Sequence, residues 1–161
     1  MQSRINHGKL PPGARNVIFE LEEYLRTCGL PDNLLHLIKL RVSQINGCAY
    51  CIDMHSKDLR AAGETEQRLY LLNAWREAPF YSDRERAALA WAEAVTRVTE
   101  GHVPNEVHEQ ARRQFTEEEL VNLTLAVVTT NGWNRFSIAF RSVAGTYRPQ
   151  QTLAEAARLA A

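Results

Sequence analysis

Electrostatic bias is the first thing this sequence lacks. Its 161 residues carry 19 Lys and Arg against 19 Asp and Glu, so no net field draws the chain toward nucleic acid or an anionic membrane. Long apolar runs are also missing, and nothing approaches the roughly 20 residues of a membrane helix. The N-terminal MQSRINHGKLPPG is polar, without a signal-peptide pattern. A cytoplasmic location with no membrane or nucleic-acid partner is the expectation. Cysteine is scarce and odd in number, three in all, which argues against a secreted disulfide scaffold and for a reactive pair in a reducing compartment. No flavin, nicotinamide or haem motif is visible, so no cofactor is expected. Period-two alternation is absent, with VNLTLAVVTT the one strand-like stretch, and there is no internal repeat.

Helical periodicity fills the rest and predicts an all-α, single-domain bundle of about six to seven helices. Residues 1–13 read as an arm ended by Pro11-Pro12-Gly13, residues 14–148 as the helical domain, and residues 149–161 as a small amphipathic tail. The first helix carries Val17, Leu21, Tyr24, Leu25 and Cys28 as its stripe and stops at Gly29. Cys28 on that stripe reads as an inert thiol. Pro31-Asp32 opens a second helix running to Asn46, and a third, beginning near Cys48, runs to Ala62 before Gly63. ETEQRLYLLNAWREA is a shorter helix with Leu69, Leu72 and Trp75 inward. Ser82 with Glu85 and Thr116 with Glu119 form capping boxes. The first opens a helix with Ala87, Ala88, Trp91, Val95 and Val98 inward, ended by Gly101, and Pro104 starts a short one through about Arg113. The second box opens the longest helix, residues 117–143, with an expected break or kink near Asn131-Gly132.

The chemistry concentrates in SQINGCAYCIDMH, residues 43–55. If a helix begins near Cys48, a step of about 100° per residue brings Cys48, Cys51 and His55 within roughly 60° of one another. Asn46-Gly47 marks the chain reversal, so both thiols fall in the first helical turn, where unpaired N–H groups favour a thiolate. His55 is one turn beyond Cys51, and an imidazolium there can depress a thiol pKa by several units. Three readings of the pair stand side by side: a redox dithiol with a proton-transfer partner, two buried thiols packing as small hydrophobes, or three ligands of a metal site. A structural zinc site would want a fourth ligand, and His7, His36, His102 and His108 offer no second paired motif.

LIKLRVSQINGCAYCIDMHSKDLRAAGE, residues 37–64, resembles the core motif of the alkylhydroperoxidase D-like branch of the carboxymuconolactone decarboxylase-like superfamily. ERAALAWAEAVT and NGWNRFSIAFR extend the likeness to roughly residues 30–145. The resemblance implies an all-helical fold, assembly as a trimer or hexamer, and reduction of organic hydroperoxides through the dithiol. Plain decarboxylase members generally lack the cysteine pair. In the peroxidase members a glutamate twelve residues before the first cysteine feeds a proton relay, but that position here is His36. Either His36 serves the relay itself or an acid comes from another helix, and Glu93, near the Trp91–Val95 stripe, is the preferred substitute. Asn131, Asn134 and Arg135 read as a buried hydrogen-bond network or a subunit contact.

The catalytic set expected is therefore Cys48, Cys51, His55 and Glu93, with no metal. Cys51 attacks the peroxide, Cys48 resolves, and an external dithiol or protein donor restores the pair. Two other classes remain open, a redox-sensing or adaptor module with little turnover and a carboxymuconolactone decarboxylase-type enzyme.

Overall fold

In the computed structural model, residues 2–5 and 10–149 are described, and among them all regular structure is helical. The α-helices are α1 (Pro12–Thr27), α2 (Asp32–Asn46), α3 (Ala49–Ala61), α4 (Glu66–Leu71), α5 (Asp83–Thr96), α6 (Asn105–Arg112) and α7 (Glu117–Ala139). Among the described residues no helix is long and apolar enough to cross a membrane.

Helix α2 is the axis. It packs against α3, α5 and α7, and every residue from Leu34 to Ser43 is buried except the half-buried His36. A helix apolar nearly all round must be covered on all sides, and α2 divides the core accordingly. Leu35, Ile38 and Val42 meet Leu25, Ala88, Leu123 and Val127 on one side. On the other, Leu37 and Leu40 meet Leu59, Leu72, Trp75 and Leu89.

Both capping boxes form as the sequence predicts: Ser82 Oγ accepts from Glu85 N, Thr116 Oγ1 from Glu119 N, and each glutamate returns a bond to its cap residue. Four expectations are corrected. On α1 only Leu25 is buried while Val17 and Tyr24 are exposed, because α1 lies on α7 at the edge of the bundle and only a narrow strip is covered. The fourth helix ends at Leu71 and tightens into a 3₁₀ turn over Leu72–Ala74. Three residues per turn stack Leu72 and Trp75 on one face, and both enter the core. Helix α5 ends at Thr96, before another 3₁₀ turn over Val98–Glu100, which leaves Val98 outside. Helix α7 is not interrupted at Asn131-Gly132. The Asn131 side chain bonds away from its own helix as well as back to Val127 O, and the helix stops at Ala139, with Arg141 in the left-handed region.

The N-terminal arm is anchored where it is described. Arg4 N donates to Phe140 O at 2.9 Å and Arg4 Nη1 to Ala139 O at 3.2 Å, satisfying carbonyls at the end of α7. Most of the amphipathic tail read from the sequence, from residue 150 on, lies outside the described residues.

Candidate active site

The α2–α3 junction is built by the SQING segment. Gly47 turns the chain with φ of 68°, a conformation that costs a residue with a side chain about 1–2 kcal/mol. Cys48 N then donates back to Ser43 O at 3.0 Å. Three side-chain hydrogen bonds brace the turn against α7. Asn46 Nδ2 donates to Asn131 Oδ1 at 3.0 Å and to Asn134 Oδ1 at 2.8 Å, and Asn134 Nδ2 donates to Ser43 Oγ at 3.1 Å. Asn131 Nδ2 reaches Thr96 of α5, and Arg135 caps the cluster through Asn131. The polar groups inside an apolar helix thus form a hydrogen-bond network that holds the site.

Cys48 is the N-cap of α3, and its Sγ accepts the Cys51 N–H at 3.4 Å. Cys48 and Cys51 are joined as a disulfide, Cα atoms 5.4 Å apart, with 1% and 2% of their surface exposed. His55 follows one turn later and is 7% exposed. Burial, then the positive charge of Lys39 and the neighbouring His36, hold the His55 imidazole well below its ordinary value. In this disulfide form burial thus works against the imidazolium that the sequence reading sets beside Cys51.

Across from it stands His36 of α2, with ring centroids 5.9 Å apart. Burial and Lys39 also lower His36, against smaller opposing effects of Asp58, Asp32 and Glu22. Lys39 itself is buried and paired with Glu22 of α1 at 2.5 Å. Asp58, three residues beyond His55, accepts from the Tyr147 hydroxyl at 2.7 Å. Sequence reasoning passed over Asp58, Lys39, Glu22 and Tyr147. Only Asp58 left a signal, its i+3 spacing from His55.

Glu93 points inward, 5% exposed, yet its surroundings do not suit the relay acid expected from the sequence. Its Oε1 accepts from Arg41 Nε at 2.7 Å and Trp75 Nε1 at 2.9 Å, and its Oε2 from Arg76 Nη1 at 2.5 Å. Burial pushes the carboxyl up, but the bonds from Trp75, Arg76 and Arg41 outweigh it and leave it below its ordinary value. On α2, Arg41 and His36 are about 140° apart, so the acid and the histidine pair lie against different faces. Asp53, four residues before Lys57 on α3, accepts hydrogen bonds from Lys57 Nζ and Gly145 N. Cys28 is a free, half-buried thiol at the rim of the core.

Comparison with known proteins places this geometry among relatives. A sequence model of the carboxymuconolactone decarboxylase family matches residues 12–94. The uncharacterised protein YdfG of Bacillus subtilis is 42% identical over 139 residues, 86% of this chain and 95% of its own. A solved structure from Agrobacterium tumefaciens superposes with a TM-score of 0.87 at 43% identity, covering 91% of this chain and 100% of that one. That protein is of unknown function, and its name connects it with the antioxidant defence protein AhpD. The debrominase Bmp8 has the same fold, with a TM-score of 0.77 at 23% identity over 87% of this chain and 75% of its own.

Proposed function

The chain belongs to the carboxymuconolactone decarboxylase family, and from the chemistry of its α2–α3 junction we propose that it is a thiol peroxidase acting on organic hydroperoxides. The observation that carries this reading is the Cys48–Cys51 disulfide in the first turn of α3, one turn from a buried neutral imidazole.

In the reduced enzyme Cys51 attacks the terminal oxygen of ROOH as a thiolate. The O–O bond breaks, the sulfur takes the hydroxyl and becomes a sulfenic acid, and the alkoxide leaves. His55 accepts the Cys51 proton beforehand and delivers it to the alkoxide as ROH departs. Cys48–SH then condenses with the sulfenic acid, releasing water and closing the disulfide. An external dithiol or protein donor returns two electrons by exchange. The N–H bond at Cys48 favours thiolate at that sulfur, but a dipole at a helix end contributes only about 0.3–1 kcal/mol. The proton acceptor one turn from Cys51 serves that sulfur, so Cys51 takes the attacking role. Glu93 stands outside the relay in this reading, as the counter-charge of Arg41, and the fold encloses the pair as one helical domain.

Near-complete burial of both sulfurs also suits a redox sensor that oxidises slowly and turns over little. Steady-state consumption of organic hydroperoxides with dithiothreitol, dihydrolipoamide or a thioredoxin system separates the two. Sustained turnover that Cys51→Ser abolishes supports the peroxidase, whereas one slow oxidation without turnover supports the sensor. Lactone decarboxylation in place of peroxide reduction would point to the third class.

A further inference from the structure

Among the described residues, His55 Nδ1 and His36 Nδ1 are each enclosed by protein without a hydrogen-bond partner. Leaving one buried polar atom unpaired costs about 1–3 kcal/mol, and here two belong to rings whose centroids are 5.9 Å apart. Asp58 completes a set: one ligand atom from each of His36, His55 and Asp58 lies within 4.8 Å of the others. His55 and Asp58 share a face of α3 by their i, i+3 spacing, while His36 reaches in from α2. We propose that in the disulfide form, when the proton relay is not in use, these three side chains bind a divalent transition ion of the zinc class, beside the dithiol and without its sulfurs. The ion takes the His55 lone pair and so competes with the relay.

The donor chemistry fits such an ion. Two imidazoles and a carboxylate recur in zinc and non-haem iron sites that keep open positions. Imidazole ligands must be neutral, and the burial that holds both histidines below their ordinary values supplies that state. Asp58 is oriented from behind, since the Tyr147 hydroxyl occupies Oδ1 and leaves Oδ2 to ligate, an arrangement common around metal-bound carboxylates. Lys39 opposes a cation, though its ammonium is paired with Glu22 at 2.5 Å, and Asp58 adds negative charge beside it. Tetrahedral zinc with bonds of about 2.0–2.1 Å sets its donors about 3.3 Å apart. From the 4.8 Å limit, closing to that separation takes a donor–donor approach of about 1.5 Å. The donor set differs from the Cys48, Cys51 and His55 site that the sequence suggested, because the two sulfurs here are bonded to each other.

The test uses full-length protein in the disulfide form, stripped of metal, so it reads the same whether or not the dithiol turns over peroxide. Zn²⁺ affinity is measured by competition with a chromophoric chelator, and Co²⁺ is titrated for its visible ligand-field bands. The expected result is one ion per chain with four- or five-coordinate cobalt bands, weakened roughly tenfold or more in both Asp58→Asn and His36→Gln. Circular dichroism and melting identify any variant that has unfolded, and the remaining one then decides. No stoichiometric binding by the wild type, or equal affinity in a folded variant, overturns the site.

Discussion

The Sγ of Cys48 receives a backbone N–H, whereas Cys51 has His55 one turn away. If those surroundings set the roles, Cys48→Ser still undergoes one oxidation and accumulates a sulfenic acid on Cys51 that dimedone labels, while Cys51→Ser does neither. Labelling of Cys48 in Cys51→Ser, with none in the converse variant, reverses the assignment. His55→Ala should slow the single-turnover oxidation of Cys51 by an organic hydroperoxide at fixed pH, since the thiol and the departing alkoxide lose their proton relay; an unchanged rate removes His55 from the mechanism. Glu93 belongs to stability in this account. Glu93→Gln leaves Arg41 without its charge partner in a buried place, and breaking such pairs costs about 3–5 kcal/mol. Its carboxyl lies below the ordinary 4.5 in the folded state, so its contribution is complete above that pH and is lost as acid protonates it. Urea midpoints should therefore fall on acidification in the wild type and fall less in Glu93→Gln. A variant with an unchanged midpoint but slowed turnover would return Glu93 to the relay. The cysteine pair and its histidine were readable from the sequence because i, i+3 and i+4 spacings survive folding unchanged. The partners of Glu93 were not, because Arg41, Trp75 and Arg76 meet it only through packing of separate elements.

Between α2 and α3 the chain reverses within a single glycine, and the reversal is held from α7. Gly47→Ala meets nothing within 4 Å of the added Cβ, so its cost is the left-handed backbone alone, about 1–2 kcal/mol. Asn134→Ala leaves Asn46 and Ser43 short of partners, at about 1–3 kcal/mol. Both should lower the denaturation midpoint, and Asn134→Ala should also slow disulfide closure by loosening the turn that carries Cys48. A midpoint equal to wild type for Asn134→Ala would show that the network is not what fixes the turn. Helix starts were legible where local chemistry decides them, as with Ser82-Glu85 and Thr116-Glu119. Ends and continuity were less so. Asn131-Gly132 looks like a breaker locally, and α7 runs through it because Asn131 finds partners on α2 and α5.

At the scale of the molecule, α7 buries Asn122, Thr129, Thr130, Asn134 and Ser137 beside its core residues Leu120, Leu123 and Val127, an inversion only in part, while Val121, Val128 and Ile138 are exposed. With exposed Val17, Phe19 and Tyr24 on neighbouring α1, this inversion leaves apolar surface on the outside, the pattern of an unfinished interface. We propose a trimer or hexamer that covers it. Light scattering coupled to size exclusion should give a multiple of the 18.3 kDa chain mass, and a fully active monomer at micromolar concentration would refute it. Helix periodicity and the family resemblance made the bundle legible, but which apolar stripe faces inward depends on neighbours that no single helix encodes, as Val17 and Val98 show. The central claim concerns one reaction of the whole chain. Reduced protein, freed of reductant, is mixed with one equivalent of an organic hydroperoxide, then mapped by peptide mass while the released alcohol is quantified. The account predicts one alcohol per chain, a new Cys48–Cys51 disulfide and an unmodified Cys28. Peroxide left unconsumed with both thiols intact, or oxidation confined to Cys28, would contradict it.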